Sequence, residues 1–99
     1  MSSVAQRNCV VSAWTSDGAF VVTTRDSALV GISYLGSAAA GTIQIFKGTS
    51  TGGSKVAVFN VPITSGGFET TRIPIVCSGG ICATNVGTVA GYAVLYTQL

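Results

Sequence analysis

Thr42-Ile43-Gln44-Ile45-Phe46-Lys47 is followed, after the seven residues 48–54, by Lys55-Val56-Ala57-Val58-Phe59-Asn60-Val61. Side chains alternate between the two sides of an extended chain, so Ile43 and Ile45 share a face. In the second run Val56 and Val58 share one face, with Ala57, Phe59 and Val61 opposite. Period-two spacing of β-branched and aromatic residues predicts a strand for each run. The Gly/Ser/Thr stretch between them, with Gly48, Gly52 and Gly53, is the tip that joins them. Apolar residues on both sides of 55–61 predict a central strand or one covered by another subunit.

The same alternation continues in both directions. Strands are expected near residues 9–15, 19–24, 28–35, 42–47, 55–61, 68–75, 81–85 and 91–97, at the spacing of a sandwich or barrel. Val30, Ile32 and Tyr34 are expected on one face of the third. Asp17-Gly18, between Trp14-Thr15-Ser16 and Ala19-Phe20-Val21, predicts a two-residue hairpin because both turn positions favour positive φ. Gly79-Gly80 predicts another, and Ser65-Gly66-Gly67 a tight connection. No amphipathic helical period occurs; Ser37-Ala38-Ala39-Ala40 could form one helical turn but is too short to sustain a helix. The expected fold is therefore all-β: an antiparallel β-sandwich of about eight strands, jelly-roll-like or Ig-like, with no significant helix. It forms a single domain over residues 9–99. Residues 1–8 are small and polar and are expected to form an N-terminal arm lying on a neighbouring subunit.

Charge is the second informative feature. Only 8% of the 99 residues are charged, against 47% hydrophobic, and the net charge is +2. An average soluble domain is about 25% charged. So little charge protects a lone monomer poorly against association, which suggests that neighbouring subunits cover part of the surface. The basic residues Arg7, Arg25, Lys47, Lys55 and Arg72 are scattered, with no stacking motif or recognition helix, so nucleic acid is not an expected partner. The uncharged stretches 27–46 and 73–99 are long enough to span a bilayer. Their Gly, Ser, Thr, Asn, Gln and Pro content argues against it, and no membrane association is expected. No apolar signal segment opens the sequence, so synthesis in a cytoplasm is expected.

The residues offer little for catalysis. There is no histidine to serve as a base for a serine nucleophile. Ser54 and Lys55 are adjacent and would point to opposite faces of a strand. Gly53-Ser54-Lys55 inverts the order of a phosphate-binding loop and precedes a strand rather than a helix. Asp17 and Asp26 suit turns, and pairing Asp26 with Glu69 as a glycosidase would need a cleft and further polar groups. No enzyme activity, catalytic residue, metal or cofactor is expected. Cys77 and Cys82 flank Gly79-Gly80 and would face each other across a two-residue turn; two free thiols and a disulfide both stay open, while two thiolates are too few for a metal. Of the aromatics, most are expected to fill the core. Those on outer faces would anchor an interface, with Trp14, Phe46, Phe59, Phe68, Tyr92 and Tyr96 as candidates together with Arg7.

Residues 28–96, about 70% of the chain, resemble the small Gly/Thr/Val-rich virion proteins of tailed bacteriophages, particularly marine and cyanobacterial ones. The resemblance is carried by Gly41-Thr42-Ile43-Gln44-Ile45-Phe46-Lys47-Gly48, Gly52-Gly53, Phe59-Asn60-Val61-Pro62, Ile73-Pro74, Gly80-Ile81-Cys82-Ala83-Thr84-Asn85 and Val94-Leu95-Tyr96. Cys77 and Cys82 depart from it by standing where larger apolar residues would be expected, and the Trp14 segment lies outside it. It implies a β-sandwich built into a virion, often as a capsid decoration (cement) protein on the major capsid protein. A homotrimer would match threefold shell sites. Two alternatives remain: a tail, neck or fibre-base component, and a carbohydrate- or receptor-binding module stacking Trp14, Tyr34 or Tyr92 on sugars.

Overall fold

The computed structural model describes residues 10–11, 18–64 and 66–99. They form one antiparallel sheet of six strands and no helix: β1 (Val10–Val11), β2 (Phe20–Thr23), β3 (Ser27–Lys47), β4 (Lys55–Val61), β5 (Gly66–Cys77) and β6 (Ile81–Gln98). The expected alternation is thus strand throughout, but its segmentation differs. Residues 28–35 and 42–47 belong to one 21-residue strand, and 81–85 and 91–97 to one of 18 residues. Ser37 to Ala40, where a helical turn was conceivable, lie within β3.

β3 and β6 pair along their whole lengths, from Ser27↔Gln98 to Lys47↔Ile81. Their register slips between Gly36↔Val89 and Gly41↔Gly87, where β3 places four residues opposite one of β6. Such an irregularity bends a sheet. Gly87, at φ +80°, supplies a backbone conformation that a side chain would resist. The bend divides the sheet into two halves. β5 and β1 flank β3 and β6 in the half containing residues 27–36 and 89–98, and β4 and β2 flank them in the half containing 41–47 and 81–87.

The halves face each other. Phe20 pairs with Ala83 in one half, yet its ring lies 5.8 Å from that of Tyr92 in the other. A straight strand would separate positions 83 and 92 by about 30 Å. One core results: Leu29, Ile32, Val94 and Tyr92 from the first half meet Ile43, Ile45, Val61 and Ala83 from the second, all essentially inaccessible.

Of the two hairpins expected from the sequence, the one at Gly79-Gly80 is replaced by longer-range pairings, and the one at Asp17-Gly18 lies partly outside the described residues. Among the described residues β1 and β2 each pair with β6, at opposite ends of it; Asp17 lies outside the described residues. β5 and β6 do not pair across Gly79-Gly80. Cys77 sits opposite Ser27 and Cys82 opposite Phe46, so residues 78–80 carry the chain from one half to the other. Gly79 donates its N–H to Asp26 Oδ1 at 2.7 Å, and a side chain on Gly80 (φ +120°) would collide with the Thr23 carbonyl oxygen. Residues 48–54 form the expected tip, closed by Lys47 N–H to Ser54 O at 2.8 Å.

A second slip lies between Leu29 and Gly31. Val30 is an extra residue against β6, so Leu29 and Ile32 point into the core although three positions apart. The expected Val30, Ile32, Tyr34 face is broken there. On β5 the same slip leaves residues 71–74 without register partners on β3, and the Thr71 hydroxyl lies 3.3 and 3.2 Å from the Leu29 and Val30 carbonyl oxygens.

Candidate functional site

The structure sorts the expected interface residues sharply. Tyr92 is wholly buried and Tyr96 and Phe46 nearly so, within the chain itself, leaving them no area to give a partner. Phe59 is half-buried against the core. Phe68, 65% exposed, presents its ring outward. Arg7 and Trp14 lie outside the described residues, as do the arm 1–8 and Ser65. Of the residues offered for sugar stacking, Tyr92 exposes no face and Tyr34 packs against the core.

Phe68 belongs to a larger feature. In the first half, the cross-strand rows Leu29–Ile75–Tyr96, Ile32–Val94 and Tyr34–Tyr92 point into the core. Side chains of directly opposed residues share a side of the sheet. The intervening rows therefore point away from it: Ala28–Val76–Thr97, Gly31–Thr70–Leu95, Ser33–Phe68–Ala93 and Leu35–Gly66–Gly91. No residue in these four rows is charged; Phe68, Val76 (59%) and Leu35 (47%) are exposed, while Ala28, Gly31, Gly91 and Ala93 are buried. Ile73, 76% exposed, lies in the β5 segment without register partners.

The outer face of the second half is more polar. Its rows are Asn60–Thr42–Val86 and Val58–Gln44–Thr84, with Lys55 Nζ 5.9 Å above the Phe46 ring beyond them. Beside the bend lies a shallow groove of about 420 Å³, floored by Ala40, Gly41 and Gly87 and walled by Val61, Pro62 and Val86.

β4 and β5 are the strands that bound the sheet on the β3 side, and both edges are blunted. β4 has seven residues, begins at Lys55, slips register between Ile45 and Phe46 of its neighbour, and is followed by Pro62. β5 carries Pro74 and the residues without register partners beside it. Lysine, proline and bulges are the devices that stop a sheet edge from recruiting another strand. The position of β4 also answers one expectation: it is an edge strand, not a central one.

The remaining candidates for chemistry are accounted for by structure. Asp26 accepts the Gly79 N–H through its carboxylate and the Leu99 N–H through its carbonyl. Glu69 is opposite Ile32, roughly 15 Å or more along the sheet from Asp26, beyond the spacing at which two carboxylates act on one glycosidic bond. Cys77 and Cys82 are free and buried. Burial pushes both thiols up from the ordinary range, with backbone hydrogen bonding at Leu29 and Ala83 drawing each part of the way back. Among the described residues no three His, Cys, Asp or Glu side chains group as metal ligands, and no helix is long and apolar enough to cross a membrane.

What the arrangement presents is a set of exposed apolar side chains on an uncharged face. Sequence reasoning missed Leu35 and Val76 there; the charge gap between Asp26 and Lys47 was a signal for it, but which residues faced out depended on the Val30 bulge. No protein-family model, curated protein or solved structure matches the chain.

Proposed function

We propose that this chain is a structural virion protein of a tailed bacteriophage, acting as a capsid decoration protein on the outside of the assembled shell. The observation that carries the reading is the uncharged outer face around Phe68, Val76 and Leu35. Exposed apolar side chains grouped on one face of a small domain suit a contact site, and the low charge of the whole chain suits a protein that works in an assembly. The resemblance of residues 28–96 supplies the virion setting. In this reading the bent sheet is a β-sandwich whose two layers are its halves, eight strand segments drawn from six strands.

The mechanism is mechanical and non-enzymatic. A protein that binds the assembled shell and not its separate subunits stabilises assembly by mass action, by RT ln(1 + [L]/Kd) per site. Bound where major capsid protein subunits meet, it would raise the free energy of pulling them apart. The arm 1–8 would add contacts on a neighbour. The protein would reside on the virion after synthesis in the host cytoplasm, with no cofactor.

Quantitative mass spectrometry of purified particles from the encoding genome tests this. Hundreds of copies per particle support a shell location. About six to a few dozen would place it in a tail or neck of sixfold or related symmetry, and absence from particles would overturn the virion reading.

A further inference from the structure

We infer that the outer face of the β6–β3–β5 half is a self-association surface, on which the same face of a second copy of this chain docks. The inference rests on the reading of the protein as one that works by assembling, and it names the surface and the occupant.

Three observations select a second copy. The first is charge. A twofold pair brings a surface against itself, so any charge near the axis meets its own like. The rows from Ala28–Val76–Thr97 to Leu35–Gly66–Gly91 carry none, and Glu69 lies in the intervening row with Ile32 and Val94. With a net charge of +2 the copies also repel each other weakly at long range.

The second is area. Ala28, Gly31, Gly91 and Ala93 are buried within the chain, so a partner can cover chiefly the β5 side of the face, with Phe68, Val76, Thr70 and Leu35. A pair closed over that strip falls below about 1,200 Å², in the class of weak interfaces. The pair should therefore form in the micromolar range rather than be permanent.

The third is the route. On the β3 side of the sheet, strand addition is obstructed on β4 by Lys55 and Pro62 and on β5 by Pro74 and its bulge, so there the open route is face-to-face packing. The face around Val58 and Val86 is a poorer choice, because burying Gln44, Asn60, Thr42 and Thr84 would require a partner for each polar group. A single self-complementary face closes a pair, whereas the trimer expected from shell symmetry needs two different patches on each chain.

Light scattering on the full chain at about 100 µM, well above a micromolar Kd, tests the inference, with Phe68→Glu, Val76→Glu and Val58→Glu as variants. The wild type should weigh twice the 10.0 kDa chain mass. Phe68→Glu and Val76→Glu should each weaken the pair about 100-fold or more, since like charges would be buried against each other. Both residues are exposed in the single chain, so circular dichroism should match wild type; Val58→Glu, on the other face, should leave the pair intact. A wild-type monomer or trimer overturns the inference. So does a pair that survives both face substitutions, or one that Val58→Glu dissociates equally. Shell binding is measured separately: a monomer that binds shells would overturn this inference alone, and a pair absent from particles would overturn the virion reading alone.

Discussion

Asn85 and Tyr92 grip the same residue from opposite sides: Gly18 donates its N–H to Asn85 Oδ1 at 2.7 Å, and its carbonyl accepts the Tyr92 hydroxyl at 3.1 Å. The two side chains stand seven positions apart on β6, about 23 Å in a straight strand. They converge because the strand bends at Gly87, and Gly18 fixes the bend by satisfying both. Asn85 also donates to the Gly87 carbonyl at 2.8 Å.

Tyr92→Phe should keep the buried ring and its contact with Phe20 while leaving the Gly18 carbonyl without its phenol donor. The expected loss is ~1 kcal/mol. Tyr92→Ala removes the ring as well and should cost ~3–5 kcal/mol. Urea denaturation of the two variants against wild type measures both; equal losses would mean that the ring contributes nothing beyond its hydroxyl.

Gly80→Ala should destabilise by about 2–4 kcal/mol, because φ is +120° and the new Cβ meets the Thr23 carbonyl. Gly52→Ala, whose Cβ would meet only Ser50 Oγ at 3.5 Å, should stay within ~0.5 kcal/mol. A thermal melt of each variant gives the contrast.

The thiols set an alkaline limit. Cys77 and Cys82 are weaker acids folded than unfolded because of their burial. Their contribution is therefore complete below the ordinary thiol pKa of about 8.5 and is lost as pH rises above it, when the unfolded chain deprotonates first. Stability measured between neutral and mildly alkaline pH should fall, and Cys77→Ala/Cys82→Ala should flatten that slope. In a Cys9→Ala background, a thiol reagent should label neither cysteine readily until denaturant is added.

Deleting residues 1–8 should leave the circular dichroism spectrum unchanged, since they precede the first described strand and contribute mainly small and polar side chains. Binding to assembled shells should weaken. Equal binding by the truncated chain would show the arm to be dispensable.

Local pattern was legible in the sequence. Strand character, the 48–54 tip and the limits of β4 follow from alternation and turn residues, because each depends on neighbours along the chain. The bend was not. Gly36, Gly41, Gly87 and Gly91 look like the punctuation of separate strands, and only long-range pairing shows that β3 and β6 run through them. The hairpin at Gly79-Gly80 failed for the same reason, since both flanking strands pair with β3; the one at Asp17-Gly18 lies partly outside the described residues. The site was half legible. Low charge pointed to a contact surface, but two of the three tyrosines, Tyr92 and Tyr96, fill the core, and the exposed face fell to Phe68 and to residues whose side of the sheet is set by the Val30 bulge.

The β3–β6 ribbon also governs how the chain must fold. Its pairs join residues separated by 34 positions at Lys47↔Ile81 and by 71 at Ser27↔Gln98, and each of the other strands leans on one of the two. The β3–β4 hairpin can close locally, but the contacts of the ribbon wait for long loops to close, which places folding on the slow, millisecond-to-second side for a domain of this size. β4 and β5 are synthesised before β6 and can pair with β3 first, but the β6 side of β3 stays open until the last strand is made, and that interval is when this chain is most prone to aggregate.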